Sequence, residues 1–209
     1  MTQFYAILTW VEYLGTIAFA VSGAIVGIKK HMDIFGVVIL GLVTACGGGL
    51  IRDMVLNVMP AAVFRNPIFA TIAVVTSLVV FLPPIRRHVL QNSRTQDLAL
   101  FWADTLGLAA FTITGLRTAI TVYPGGSAFF FCFLAVITAC GGGLLRDVMA
   151  QEMPAIFVKK IYAVASLAGA LLSKLLWHVS PLLAFVSGAI LVILIRFLAM
   201  HYRWNLPRA

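Results

Sequence analysis

The sequence predicts an all-α membrane protein of seven transmembrane helices, built as two inverted three-helix repeats plus a seventh helix. Three observations carry this: a composition that water cannot solvate, seven apolar windows, and an internal repeat whose unit holds three of them. Of 209 residues 62% are hydrophobic and 11% charged, with a mean hydropathy of +1.03. A soluble fold carries roughly 25% charged residues, whereas here 15 basic and 7 acidic residues make 22. Such a chain cannot bury its apolar side chains in one core, so its solvent is lipid.

The windows fall near 5–28, 35–57, 64–82, 98–120, 128–150, 155–177 and 182–200, each long enough for a hydrocarbon core of about 30 Å. Pro83 and Pro84 end the third, and Pro181 opens the seventh. The organisation expected is a first repeat over 1–82, a linker loop over 83–97, a second, inverted repeat over 98–177, and the seventh helix with a tail over 178–209. Lys29, Lys30, Arg86, Arg87, Arg94, Lys159, Lys160, Arg196, Arg203 and Arg208 fall on one side, against Arg65, Arg117 and Lys174 on the other. By the positive-inside rule the N-terminus lies outside and the C-terminus in the cytoplasm, in a multi-pass protein of the cytoplasmic (inner) membrane.

The net charge of +8 is thereby an orientation label. No RNP, zinc or basic-helix motif accompanies it, so no nucleic-acid partner is expected. Cys46, Cys132 and Cys140 lie in apolar segments without CxxC spacing, which supports neither a disulfide framework nor a metal site. Ala18-Phe19-Ala20 looks faintly like a cleavage site, but Glu12 and the missing basic start argue that the first segment is retained.

The repeat is explicit. Trp10-x-Glu12-x-x-Gly15-x-x-x-Phe19-x-x-x-Gly23 recurs as Trp102-x-Asp104-x-x-Gly107-x-x-x-Phe111-x-x-x-Gly115 at an offset of 92. Thr44-Ala-Cys-Gly-Gly-Gly-Leu-Ile-Arg-Asp53 recurs as Thr138-Ala-Cys-Gly-Gly-Gly-Leu-Leu-Arg-Asp147 at 94, and Met59-Pro60-Ala61 and Met153-Pro154-Ala155 keep that register. A three-span unit is odd, so the second copy inserts upside down, as in secondary transporters and other conduction proteins.

Within this frame the glycines divide. Gly15, Gly23, Gly107 and Gly115 read as close-packing positions. Gly47, Gly48, Gly49 and Gly141, Gly142, Gly143 read as a kink in spans two and five, because each glycine costs about 1 kcal/mol inside a helix. A broken helix there would free carbonyls able to coordinate a cation. Arg52, Asp53, Arg146 and Asp147 follow the triplets. An isolated charge at a helix centre costs about 2.5–3.5 kcal/mol, so these four must be paired or hydrated. Helix neighbours point about 100° apart, which predicts cross-repeat pairs, Arg52 with Asp147 and Arg146 with Asp53, either clamping the repeats or lining a pathway. Glu12 and Asp104, in the expected first turns of spans one and four, either complement a helix dipole or attract cations at two pore mouths. Thr16, Ser22, Thr44, Thr112, Thr114 and Thr138 are candidate lining hydroxyls, although such groups commonly bond back to their own helix.

Enzyme readings find no support. The triplets lack the Gly-Lys-Ser/Thr ending of a phosphate loop, and His31, His88, His178 and His201 are scattered at span ends. No nucleophile-elbow context appears, and no cofactor is expected.

From Trp10 to about Met200 the chain resembles the prokaryotic trimeric intracellular cation (TRIC) channel family, on the twin Ala-Cys-Gly-Gly-Gly-Leu-x-Arg-Asp segments and the doubled three-span unit. The resemblance implies a homotrimer in membrane lipid, each protomer with its own pore flanked by the glycine-kinked second and fifth spans, passing K⁺ and Na⁺. The Lys-Glu-Val lipid-binding motif of the animal members has no match here, so phosphoinositide regulation is not implied. The same bacterial group also carries the name of glycine transporter, so a second reading, a secondary transporter of glycine or another small amino acid, stands beside the channel.

Overall fold

The computed structural model describes residues 2–91, 93–158 and 161–204, with the side chains of 2–6, 88, 90, 91, 93 and 158 excepted. Its elements are α1 (Thr2–Lys29), α2 (Ile34–Val55), α3 (Ala62–Arg65), α4 (Ile68–Phe81), α5 (Pro83–Gln91), α6 (Ser93–Val122), α7 (Ala128–Met149), α8 (Ala155–Val158), α9 (Tyr162–Leu176) and α10 (Pro181–His201). No strand occurs among the described residues. Five stretches, Ile7–Lys29, Ile34–Val55, Arg94–Val122, Ala128–Met149 and Pro181–His201, are long and apolar enough to cross a membrane. Two apolar helices, α4 and α9, are shorter, at 14 and 15 residues.

Local chemistry explains the shortening. The third window is cut at Asn66-Pro67, where the residue before proline is extended at φ −131°, ψ 97°, as proline demands of its predecessor. The sixth is cut between α8 and α9, where Ile161 takes a left-handed φ of 43°. Of the stretch 83–97, expected as a linker loop, residues 83–91 and 93–97 are helical instead. Pro83 and Pro84 occupy the start of α5, where a missing N–H leaves no bond unmade, and α6 already begins at Ser93. The charges Lys159, Lys160 and Arg208 lie outside the described residues.

Repeat-equivalent residues cap equivalent helices. Asp33 accepts from the Gly36 N–H at 2.7 Å to start α2, and Ser127 accepts from the Phe130 N–H at 3.2 Å to start α7. Helix α1 packs on α2, α4 and α6, α2 packs on α7, and α10 packs on α9 and α6. The equivalent rings of Phe19 and Phe111 stack on each other with centroids 5.3 Å apart. The glycine stripes serve packing: a Cβ on Gly15 would stand 2.8 Å from Ala110 Cβ, and one on Gly107 would overlap the Phe19 ring.

Ion pairs tie one end of the bundle together. Lys29 meets Asp97 at 3.0 Å and Lys30 meets Glu152 at 3.1 Å, so the end of α1, the start of α6 and the turn after α7 share that end. We call it the inner end and the opposite one, where α2 stops, the outer end.

Candidate functional site: an open outer cavity and a sealed inner end

Helices α2 and α7 cross at the glycine triplets. Both run unbroken through Gly47–Gly49 and Gly141–Gly143, so no carbonyl is freed there and the expected helix break is not present. Closeness of approach is what the glycines supply. A Cβ on Gly48 would overlap the Thr138 carbonyl oxygen, and one on Gly142 would overlap that of Thr44. Gly47 and Gly141 face Leu145 and Ile51, with added Cβ atoms 2.7 and 3.1 Å from those side chains. Of the six triplet glycines only Gly49 has open room. At the third glycine of each triplet the nearest guanidinium nitrogen would be 3.8 Å away, that of Arg52 for Gly49 and that of Arg146 for Gly143, where the Tyr162 hydroxyl is closer at 3.3 Å.

The charged pairs correct the cross-repeat expectation. Arg52 Nε and Nη2 donate to Asp53 Oδ1 at 2.9 and 2.8 Å, and Arg146 Nε and Nη2 donate to Asp147 Oδ1 at the same distances. A long, flexible arginine stem curls across the 100° between neighbours that shorter side chains cannot bridge. The carboxylates are fixed from behind. Each helix ends after its Arg-Asp pair with a left-handed residue, Asn57 or Gln151, both at φ 54°. The chain then doubles back, so that the Ala62 N–H reaches Asp53 Oδ2 at 2.8 Å and the Ala155 N–H reaches Asp147 Oδ2 at 2.7 Å.

From here the two ends differ. At the inner end Arg146 also donates through Nη1 to Asp104 Oδ1 at 2.6 Å and to Ser22 Oγ, and Ser22 donates to Asp104 at 2.6 Å. Arg146 is 1% exposed. Asp104 is therefore a buried partner and not a pore mouth. It lies eleven residues into α6, which starts at Ser93, beyond the reach of the helix-terminal dipole. Arg196, assigned above to the tail as a loop charge, is also buried. Its guanidinium lies over the rings of Phe101 and Tyr162, 4.8 and 4.9 Å from their centroids, and Nε approaches Thr105 Oγ1 at 3.4 Å. Nothing in the repeat pointed to it, because α10 has no counterpart there; a lone arginine four residues before the end of an apolar window was the available signal. Replacing Arg196 by Leu should lower stability by about 2 kcal/mol, the scale of a desolvated cation–π contact. Exposed Arg203 replaced likewise should stay within about 0.5 kcal/mol of wild type in thermal unfolding.

At the outer end the same register opens a cavity of about 240 Å³, lined by Glu12, Thr16, Cys46, Gly49, Arg52, Asp53, Arg65, Thr114 and Thr118 among others. Glu12, ten residues into α1, faces this space and not a helix terminus. The candidate hydroxyls separate accordingly. Thr16 and Thr114 line the cavity. Thr44 and Thr138 are buried at the crossing and donate to the Leu40 and Leu134 carbonyls, each at 2.6 Å. Thr112 bonds Ser166 at 2.7 Å between α6 and α9, and Ser22 belongs to the inner cluster.

A family model described as glycine transporter matches residues 9–83 and 101–178, the two repeat units. The UPF0126 inner membrane protein YadS of Escherichia coli (strain K12) is 36% identical over 201 residues, 95% of this chain and 94% of that protein. A solved structure described in terms of conductance through TRIC cation channels superposes with a TM-score of 0.85 at 32% identity, covering 96% of each chain. The chain belongs to this TRIC-like membrane-protein family. The TRIC orthologue from Rhodobacter sphaeroides gives a TM-score of 0.86 at 31% identity, over 95% of this chain and 99% of that one. A prokaryotic TRIC channel in 0.5 M KCl gives 0.88 at 29%, over 97% and 100%. The family's solved structures are channels and not enzymes, and its curated members are membrane proteins.

Proposed function

We propose that this protein is a homotrimeric channel for monovalent cations, chiefly K⁺ and Na⁺, with a pore through each protomer of seven spans, held shut at its inner end in this structure. The observation that carries the reading is the unequal pair of half-sites. An outer cavity lined by Glu12 and Asp53 together with Arg52 and Arg65 leads toward the α2–α7 crossing, and beyond the crossing Arg146, Asp104 and Ser22 fill the equivalent space. The channels this fold superposes on support it. Seven spans follow if α3 with α4, and α8 with α9, each cross as a broken helix, which keeps the second repeat inverted. Removing buried Arg196 from the loop charges leaves nine against three, so the basic end remains the cytoplasmic one and the cavity faces outward. Helices α2 and α7 flank the path, but as continuous helices whose close backbones narrow it. Their carbonyls stay in the helical ladder, so selectivity rests on side chains.

Unitary currents in planar bilayers that reverse at the K⁺ or Na⁺ equilibrium potential are the expected result. Substrate-saturable flux without unitary currents would overturn the reading. The second reading, a small-amino-acid transporter, draws on the family model's description and on the Glu12 carboxylate and Arg52 guanidinium in one cavity, a complement to a zwitterion; labelled-glycine counterflow in proteoliposomes decides it.

Two native cysteines report which end is open. Cys46 packs with Phe19, Ala45 and Ala73 but also borders the cavity, whereas its equivalent Cys140 packs with Leu108, Ala139 and Tyr162 and borders none of it. In single-cysteine versions an impermeant thiol reagent added outside should label Cys46 and leave Cys140 unreacted. Equal rates at the two positions would contradict an outward-open resting state.

A further inference from the structure

The repeat register assigns each member of the inner cluster a counterpart in the outer cavity: Asp104 to Glu12 and Ser22 to Thr114 at an offset of 92, and Arg146 to Arg52 at 94. The inner cluster is a closed triangle of carboxylate, hydroxyl and cationic nitrogen. Asp104 Oδ1 takes Ser22 Oγ and Arg146 Nη1, each at 2.6 Å, and Arg146 Nη1 also meets Ser22 Oγ. In the outer half the carboxylate and the hydroxyl line the same cavity, but no cationic nitrogen is bonded to the hydroxyl. Arg52 spends Nε and Nη2 on Asp53 and forms no ion pair with Glu12. Arg117 and Arg52 both act electrostatically on the Glu12 carboxylate.

Thr114 Oγ1 is the decisive atom. It is 1% exposed and has no hydrogen-bond partner, although a buried hydroxyl left unsatisfied costs about 1–3 kcal/mol. Its neighbours do not relieve it: the Thr118 hydroxyl donates to the Thr114 carbonyl, and the Thr16 hydroxyl donates to the Glu12 carbonyl. A buried orphan hydroxyl and a carboxylate lining one cavity of about 240 Å³ repeat two corners of that triangle.

We propose that the Glu12 carboxylate and the Thr114 hydroxyl form a seat for one monovalent cationic centre with the chemistry of an ammonium nitrogen, supplied either as a free ion such as K⁺ or as the amine of a small amino acid. Arg146 Nη1 shows, in the inner half, what the missing corner is. Lone pairs of the hydroxyl face the cation while its proton goes to the carboxylate, as Ser22 does toward Asp104. One carboxylate in the pair matches one positive charge, as Asp104 matches Arg146 in the other half. The seat deepens the permeation reading by giving it a binding residue pair, and it is measured at equilibrium so that binding and conduction fail separately.

The test is calorimetric titration of the purified protein, in buffer whose only other cation is bulky and organic, with KCl, NH₄Cl, methylammonium chloride and glycine. Saturable binding is expected, weakened about tenfold or more in Glu12→Gln, as loss of a charge-assisted contact implies. Thr114→Val should weaken it several-fold while Thr114→Ser retains it, and this pair decides the matter if Glu12→Gln does not fold. Binding of K⁺ and NH₄⁺ without glycine identifies a free ion as the occupant, and binding of glycine and methylammonium identifies an amine. Absence of saturable binding by all four, wild-type affinity in Glu12→Gln, or equal affinity in Thr114→Val and Thr114→Ser overturns the seat. Unitary currents recorded on the same preparations judge the channel reading independently.

Discussion

Alanine at Gly48 or at Gly142 should leave little folded protein, whereas alanine at Gly49 should fold as wild type does. The two damaging changes place a methyl group on a backbone carbonyl across the α2–α7 crossing, Thr138 for the first and Thr44 for the second. A carbonyl inside a helix cannot swing aside as a side-chain tip can, so the helices must separate. Overpacking of ordinary cores costs 1–3 kcal/mol; with backbone on the receiving side we expect about 3 kcal/mol or more for each. The two should combine with less than the sum of their effects, because the first already opens the crossing that the second would open. Alanine at Gly49 meets nothing nearer than an Arg52 nitrogen at 3.8 Å and removes a residue that costs a helix about 1 kcal/mol. Thermal unfolding in detergent, followed by size-exclusion chromatography, ranks the three. A Gly48→Ala protein as stable as Gly49→Ala would refute the close-approach account of the triplets.

Arg146→Met should destabilise the protein by roughly 3–5 kcal/mol, the cost of stranding buried charge, and should unseal the inner end. Two carboxylates, Asp104 and Asp147, lose their shared partner at a place where both are buried. The equivalent change Arg52→Met should cost distinctly less. The Arg52 side chain is 11% exposed beside the cavity, so water can reach the Asp53 left behind, and the ion pair that Arg52 gives up is with Asp53 alone. Neutralising the stranded charge in Arg146→Met/Asp104→Asn should recover part of the loss without restoring the seal. Unfolding midpoints give the first half of the prediction. Labelling of Cys140, which becomes reachable once the inner cluster opens, gives the second, together with a larger open fraction in bilayer recordings. Equal midpoints for Arg146→Met and Arg52→Met, with Cys140 still protected, would show that the inner cluster neither carries stability nor closes the path.

Much of this architecture is legible in the residues themselves. Apolar length and loop charge depend on the chain's partition between lipid and water, a property of each segment taken alone, and the doubled motif exposes the repeat without any contact being known. The same locality explains what was misread. Pro83 and Pro84 look like a linker because proline ends a helix, yet it also begins one. The glycine triplets look like a break when scored by helix propensity, but a backbone pressed against the facing helix outweighs about 1 kcal/mol per glycine. The hydroxyl set Thr16, Ser22, Thr44, Thr112, Thr114 and Thr138 could not be sorted by spacing, since which of them meets the cavity depends on helix rotation. Arg196 was invisible as a site residue because the rings it lies on, Phe101 and Tyr162, come from α6 and α9, far away in the chain.

The charges with which a membrane protein of this composition is so sparing were identifiable from the sequence as residues kept for something other than solubility. Their partners were not. A repeat written twice predicts two equal halves, and Glu12 and Asp104, or Arg52 and Arg146, carry nothing in their local sequence to tell them apart. The tertiary structure alone makes them unequal. Helix α10, standing outside the repeat, lays Arg196 over Tyr162 at one end only, and at that end Arg146 closes on Asp104 and Ser22. The other end, whose cavity no residue of α10 lines, keeps its carboxylate and its unpartnered hydroxyl facing an open space.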